Sequence, residues 1–186
     1  LKPYGDCAIA AVAVVARIMQ ILVSIIIGFG QGFQPVCGMN YGAQKYDRVV
    51  NAFKITVITG TVVLVTGAVV GLIFAEPIVG IFANEDETIE IAARVLRLQL
   101  VPLAFSAFYL IGSMLLQNLG RSAKATVLAI SRQGIVFLPL ILVLPHFFGL
   151  AGAIISQPIS DIITAVISLP LLIPDLKTLS LGNPLS

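Results

Sequence analysis

Asp161 is the only charged residue in the run "AIISQPISDIITAVIS". Ionisable groups inside so apolar a segment are costly and persist where they bind, relay or pair. Gln157 precedes Asp161 by one helical turn and shares its face. Together they make a candidate cation or proton site, or a gate. The structural alternative is a carboxylate kept protonated or paired with an arginine of another helix. Two arginines occupy comparable settings, Arg17 in "AVAVVARIMQILVS" and Arg132, beside Gln133, in "AISRQGIVF". Either has the planar fork that holds a carboxylate or backbone carbonyls, and Arg132, nearer the start of its segment, can also snorkel. Gln99, Phe105, Tyr109, Met114, Gln117 and Gln133 are candidates to line a cavity for a flat cation.

A second polar cluster sits at the end of an apolar run, in "GFGQGFQPVCGMNYGAQKYDR" (28–48). Pro35 removes a backbone donor and frees the carbonyl one turn back. Gln31 and Gln34 offer amides to such carbonyls, and with Asn40 they form a helix-bend motif. Gly28, Gly32, Gly38 and Ala43 thin one side for close approach of a neighbouring backbone. The pattern predicts a long, bent helix that outruns the membrane surface before Gly42 ends it.

Enzymatic chemistry lacks an inventory. The only histidine, His146, sits in the apparent turn "PHFFG", and no HExxH, GxSxG or paired-carboxylate pattern occurs. Cys7 and Cys37 are separated by a whole span without neighbouring ligands, so both read as small apolar fillers, with no metal or other cofactor expected.

The elements that position these groups follow from composition. Of 186 residues, 58% are hydrophobic and 11% charged, against roughly a quarter charged in soluble domains. Mean hydropathy is +1.04. The chain reads as an all-α integral membrane protein with lipid as a partner and no support for nucleic acid binding. Five segments are long enough to span about 30 Å of hydrocarbon, over 7–29, 55–75, 95–116, 125–144 and 149–170. They make one transmembrane unit over 1–174. Pro102, Pro139 and Pro158 fall inside spans and predict kinks or unwound turns. Thr88 is the expected cap of the third helix.

Lys45, Arg48 and Lys54 follow the first span, and Arg121 and Lys124 follow the third. Glu76, Glu85, Asp86, Glu87 and Glu90 fill the second connection. Basic connections stay inside, so a multi-pass cell-membrane protein with a cytoplasmic C-terminus is expected. The polar segment 175–186 reads as a short disordered tail. With neither an initiator Met nor a basic leader, "LKPYGDCAIA" looks like a loop entering a helix in mid-protein.

The motif "GFGQGFQPVCGMNYGAQKYDRV" resembles the segment closing the second helix of a lobe in the multidrug and toxic compound extrusion (MATE) family. The resemblance continues through "FANEDETIEIAARVLRLQLVPLAFSAFY", "LLQNLGRSAKATVLAISRQGIVFLPLILVLP" and "GLAGAIISQPISDIITA". It implies most of one six-helix lobe of a twelve-helix transporter, here the C-terminal lobe without its first helix. It also implies an N-terminal lobe as partner and export of small cationic, drug-like compounds in exchange for Na+ or H+. Some branches place an acid in the lobe's fourth helix. The matching "AFSAFYLIG" has only Ser106 and Tyr109, so the coupling ion is expected to bind elsewhere in the full protein. Rival readings are a lipid or lipid-linked saccharide flippase of the same superfamily, favoured by a basic central cavity, and a structural or regulatory subunit that transports nothing.

The charge pattern makes a topological prediction. With Cys7 and Cys37 replaced by alanine, Ser122→Cys should react with a permeant thiol reagent and resist an impermeant one applied outside. Asn84→Cys should react with both. Equal external labelling of the two positions contradicts the orientation.

Overall fold

The computed structural model describes residues 6–183, with the side chains of Asp6, Arg132, Gln133 and Leu150 outside the description. The expected entry loop over 1–5 and the end of the tail, 184–186, fall outside it. The described residues form helices joined by short turns: α1 (Asp6–Gly42), α2 (Tyr46–Ile73), α3 (Ala75–Gly80), α4 (Asp86–Leu100), α5 (Leu103–Asn118), α6 (Ser122–Ile130), a π-helical segment (Ser131–Val136) and α7 (Phe137–Ser180). Four stretches are apolar and long enough to cross a membrane, Cys7–Gly42, Tyr46–Ile73, Ser122–Gly149 and Ala151–Ser180; the bent pair α4–α5 makes a fifth. Helices predominate because hydrocarbon offers backbone groups no partner outside the segment itself.

α1 contains 37 residues, about 55 Å at 1.5 Å per residue, and so extends beyond the hydrocarbon as expected. It packs on α2, α4 and α5, while α5 also packs on α2 and α7. The core is mostly aliphatic, with Leu96, Leu100, Leu103, Ile111, Leu115 and Leu116 buried and the Phe33 and Phe53 rings packed edge to face. Met114 of α5 sets its sulfur against Gly30. A Cβ on Gly28 or Gly32 would meet nothing within 4 Å, so the close approach expected at those two positions occurs at Gly30 instead.

The breaks follow chemistry in three places. The third span starts earlier than 95, at Asp86, and bends by 55° between Leu100 and Leu103. Pro102 donates no N–H there, and its ring crowds the preceding turn. The π-helical segment ends at Val136, shortly before Pro139, so the disturbed backbone bonds are absorbed by one wider turn. At Gly149, φ is 57° and ψ −136°, a conformation that needs glycine. A Cβ on Gly152 would lie 2.2 Å from the Leu144 carbonyl oxygen, so the chain reverses with its backbones in contact. Helix therefore continues through the apparent turn at His146, whose ring meets the edge of Phe147, until Gly149. Pro158, by contrast, lies within the uninterrupted stretch Ala151–Ser180.

Other local expectations are corrected. Glu85 occupies the cap position of α4, and Thr88 donates its hydroxyl to the Glu85 carboxylate at 3.1 Å. Asp86 and Glu87 still suit the positive end of the helix dipole. Cys37 is fully buried, as an apolar filler would be. Cys7 instead points its thiol at Glu85 and Glu87, 3.7 and 3.9 Å from their carboxylates. Arg94 pairs with Glu90 and Arg97 reaches Glu76, so the two arginines at the acidic end are held by local acids.

The segment expected to be a free tail from 175 is helical through Ser180, with Asp175 only 5% exposed. The Lys124 ammonium donates to both Asp175 oxygens at 2.8 Å, tying the start of α6 to the end of α7. Losing Lys124 strands a buried carboxylate, which costs about 3–5 kcal/mol, whereas replacing both members with apolar residues is often near neutral. Lys124→Met is therefore expected to lower thermal stability much more than Lys124→Met/Asp175→Leu. Equal losses would show that the pair is not an energetic unit.

Candidate functional site

Asp161 projects from the arm of α7 that follows Gly149, and at 4% exposure it is surrounded by protein. Tyr109 of α5 donates its hydroxyl to Asp161 Oδ1 at 3.0 Å, and Gln157 Nε2 lies 3.4 Å from the same oxygen. The Ser106 hydroxyl is 3.2 Å from that of Tyr109. A phenol has one proton, so the arrangement that satisfies both contacts has Ser106 donate to Tyr109 and Tyr109 donate to the carboxylate. Ser106 and Tyr109 are one turn apart on α5, which is why the short "AFSAFY" segment can supply both links. One turn beyond Asp161, the buried Thr164 hydroxyl has no hydrogen-bond partner among the described residues.

This chain of polar groups borders a cavity of about 350 Å³ between α1, α4 and both arms of α7. Gln20, Gln99, Gln157 and Asp161 supply its polar wall, and Met19, Val23, Phe137, Ile141 and Ile154 contribute to the apolar remainder. A few convergent polar groups on an apolar concavity is the usual build of a small-molecule site, and the volume is at the lower end of that range. The cavity can orient a ligand that presents a cationic or hydrogen-donating group towards Asp161 while its apolar part meets the opposite wall. The carboxylate can also hold a proton or a small cation in the same place.

The structure thus gathers Asp161, Gln157 and Gln99 around one cavity, with Tyr109 directly behind it. Tyr109, Met114 and Gln117 line a second concavity of about 270 Å³ between α1, α5 and α6. Arg17 is exposed, and among the described residues no ion pair or hydrogen bond joins it to Asp161. The alternative of a clamp between Arg17 and Asp161 is thus not seen among the described residues, and Tyr109 meets the acid from α5. The side chains of Arg132 and Gln133 lie outside the described residues. Phe105 is 56% exposed on α5 and lines neither concavity, because its helix turns Tyr109 and Ser106 inward.

In the helix-bend motif Pro35 lies within α1, yet Gln31 and Gln34 make no hydrogen bond among the described residues. Asn40 instead donates to the Val36 carbonyl at 2.8 Å. The expected repair by the two glutamines is corrected to a side-chain bond one turn later. Gln20, a cavity residue, went unremarked in the sequence reading. Its signal was a lone amide within an apolar span, one turn from Ala16, which also lines the cavity.

A family model described as MatE matches residues 1–143. Among curated relatives, the multidrug export protein MepA of Staphylococcus haemolyticus (strain JCSC1435) is 28% identical over 169 residues, covering 91% of this chain and 37% of that protein. MepA of Staphylococcus aureus (strain MSSA476) is 27% identical over 166 residues, covering 89% of this chain and 36% of the relative. The chain thus spans little more than a third of their length. Its fold is shared with an outward-facing multidrug resistance MATE family transporter of the MOP superfamily, at a TM-score of 0.86, 19% identity, 95% of this chain and 40% of that one. An inward-facing multidrug resistance MATE family transporter of the MOP superfamily gives 0.82, 20%, 94% and 42%. A family match over most of the residues, together with a lobe of apolar helices, establishes that the chain belongs to the MatE family, the multidrug and toxic compound extrusion transporters.

Proposed function

We propose that the chain is the bulk of the C-terminal lobe of a cation-coupled antiporter that exports cationic, amphipathic compounds across the cell membrane, and that it works against an N-terminal lobe. The observation that carries this reading is Asp161, an acid that both borders the cavity and accepts a hydrogen bond from Tyr109. A drug-like cation is recognised there by charge, and its flat apolar part by Met19, Val23 and Phe137. The similarity to multidrug export proteins supports a drug-like cargo.

In that cycle Asp161 alternately holds and releases the exported cation as part of the gate. The ion that drives the cycle is bound by another part of the full protein, and this lobe supplies cavity wall and gate. Tyr109 and Ser106 act as positioning residues: they hold one oxygen of the carboxylate in place at the cavity wall. Gln20, Gln99 and Gln157 replace some of the hydration that a cation sheds on entering.

The test uses protein expressed from its complete reading frame and reconstituted into vesicles. Asp161→Asn keeps shape and hydrogen-bonding capacity but cannot change charge, so ethidium export should fall by roughly tenfold or more while thermal stability stays near wild type. Tyr109→Phe should retain the charge and lose its positioning, which predicts a smaller loss of export. If Asp161 is purely structural, Asp161→Asn lowers stability instead. Wild-type export by Asp161→Asn overturns the proposal.

A further inference from the structure

Away from the Asp161 cavity, a groove of about 490 Å³ runs between α2 and the final turns of α7. Its walls include Val57, Ile58, Phe108 and Ile173, and Lys54 and Lys177 stand among its lining residues. Both lysines are exposed, and among the described residues neither pairs with a carboxylate. The nearest acid in sequence to Lys177 is Asp175, and Lys124 holds both of its oxygens. The groove therefore combines apolar walls with two uncompensated positive charges.

Depth agrees with that division. α2 has 28 residues, about 42 Å at 1.5 Å per residue, and exceeds a hydrocarbon core of about 30 Å by about 12 Å. Lys54 lies eight residues after the helix starts at Tyr46, which places it about 12 Å along, at the boundary between headgroups and hydrocarbon if the overhang is at the basic end. Lys177 is within the last turn of α7, so the two ammonium groups approach that boundary from neighbouring helices. Ile58 is 62% exposed and Ile173 50% exposed, leaving the apolar wall open to lipid tails.

We propose that this groove is a binding site for an anionic glycerophospholipid. Its phosphate is held by Lys54 and Lys177, and one acyl chain lies along Val57, Ile58 and Ile173. A soluble anion would use the lysines but leave the apolar wall empty; a zwitterionic lipid would fill the wall but carry a cation towards the two ammonium groups. Only a ligand with a net-negative head and an apolar tail satisfies both parts. On the orientation expected from the charge bias, the lipid comes from the cytoplasmic leaflet, where basic pockets between helices meet anionic headgroups. Bound there it bridges α2 to α7.

The experiment measures thermal stability of the protein, expressed from its complete reading frame and purified in detergent, as phosphatidylglycerol or phosphatidylcholine is titrated in. Phosphatidylglycerol should raise the unfolding temperature by at least about 2 °C more than phosphatidylcholine. Lys54→Gln/Lys177→Gln should weaken the apparent affinity about twenty-fivefold, about fivefold for each lysine. Lys45→Gln/Arg48→Gln, which removes as much charge elsewhere at the basic end, should leave the preference intact. Ile58→Trp, with both lysines present, should also weaken it by filling the groove. Equal responses to the two lipids, a preference that survives Lys54→Gln/Lys177→Gln or Ile58→Trp, its loss in Lys45→Gln/Arg48→Gln, or its reproduction by inorganic phosphate would each overturn the proposal.

Discussion

A carboxylate surrounded by apolar helices has to be solvated by the protein itself, and the hydroxyl of Tyr109 performs that task for Asp161. The bond joins α5 to α7, two helices that also pack along their lengths. It fixes the rotation of both, since Tyr109 reaches the acid with Ser106 on the same face of α5 while Ile111 turns to Gly60 of α2. Gln157, one turn before the acid, is then directed into the space bordered by α1 and α4. The cavity thus borders an acid that is held from α5 by Tyr109 and from its own helix by Gln157.

The irregular backbone is placed where that arrangement needs it. Pro102 turns α5 away from α4, so one broken span can present Gln99 to the cavity from its first half and Tyr109 to Asp161 from its second. The reversal at Gly149 brings Phe137 and Ile141 opposite Ala153 and Ile154, closing the remaining side. Without a break at either point, a straight helix would carry the polar groups past one another. Pro102 itself is buried, and the reversal at Gly149 falls between two spans.

Charge divides the two ends of the lobe. Glu85 and Glu87 draw in the Cys7 thiol at one end, whereas Lys124 and Asp175 tie α6 to α7 at the other. The latter pair explains why the C-terminal segment folds on: Asp175 gains two short contacts to an ammonium group, and Leu172 and Leu179 bury themselves on the same helix. A polar composition read locally suggests release into water; these long-range partners make continued helix the better solution.

Composition alone required lipid as the solvent and helix as the secondary structure, because apolar runs of this length expose backbone that nothing else can satisfy. The family likeness was also legible, since its motifs are contiguous. So were Asp161 and Gln157, whose cost in hydrocarbon singles them out before any fold is known, and the breaks at Pro102 and before Pro139, which follow from a missing donor. Partner choice was not. That Tyr109 rather than Arg17 meets Asp161, 52 positions away in sequence, depends on how α5 rotates in the packed lobe. The same holds for Lys124 and Asp175, 51 positions apart, and for Gln20, whose amide becomes part of a cavity only when four separate elements converge. Periodicity reports which face of a helix is apolar, but the identity of the helix opposite, and the atom that meets a buried charge, are decided by packing in three dimensions.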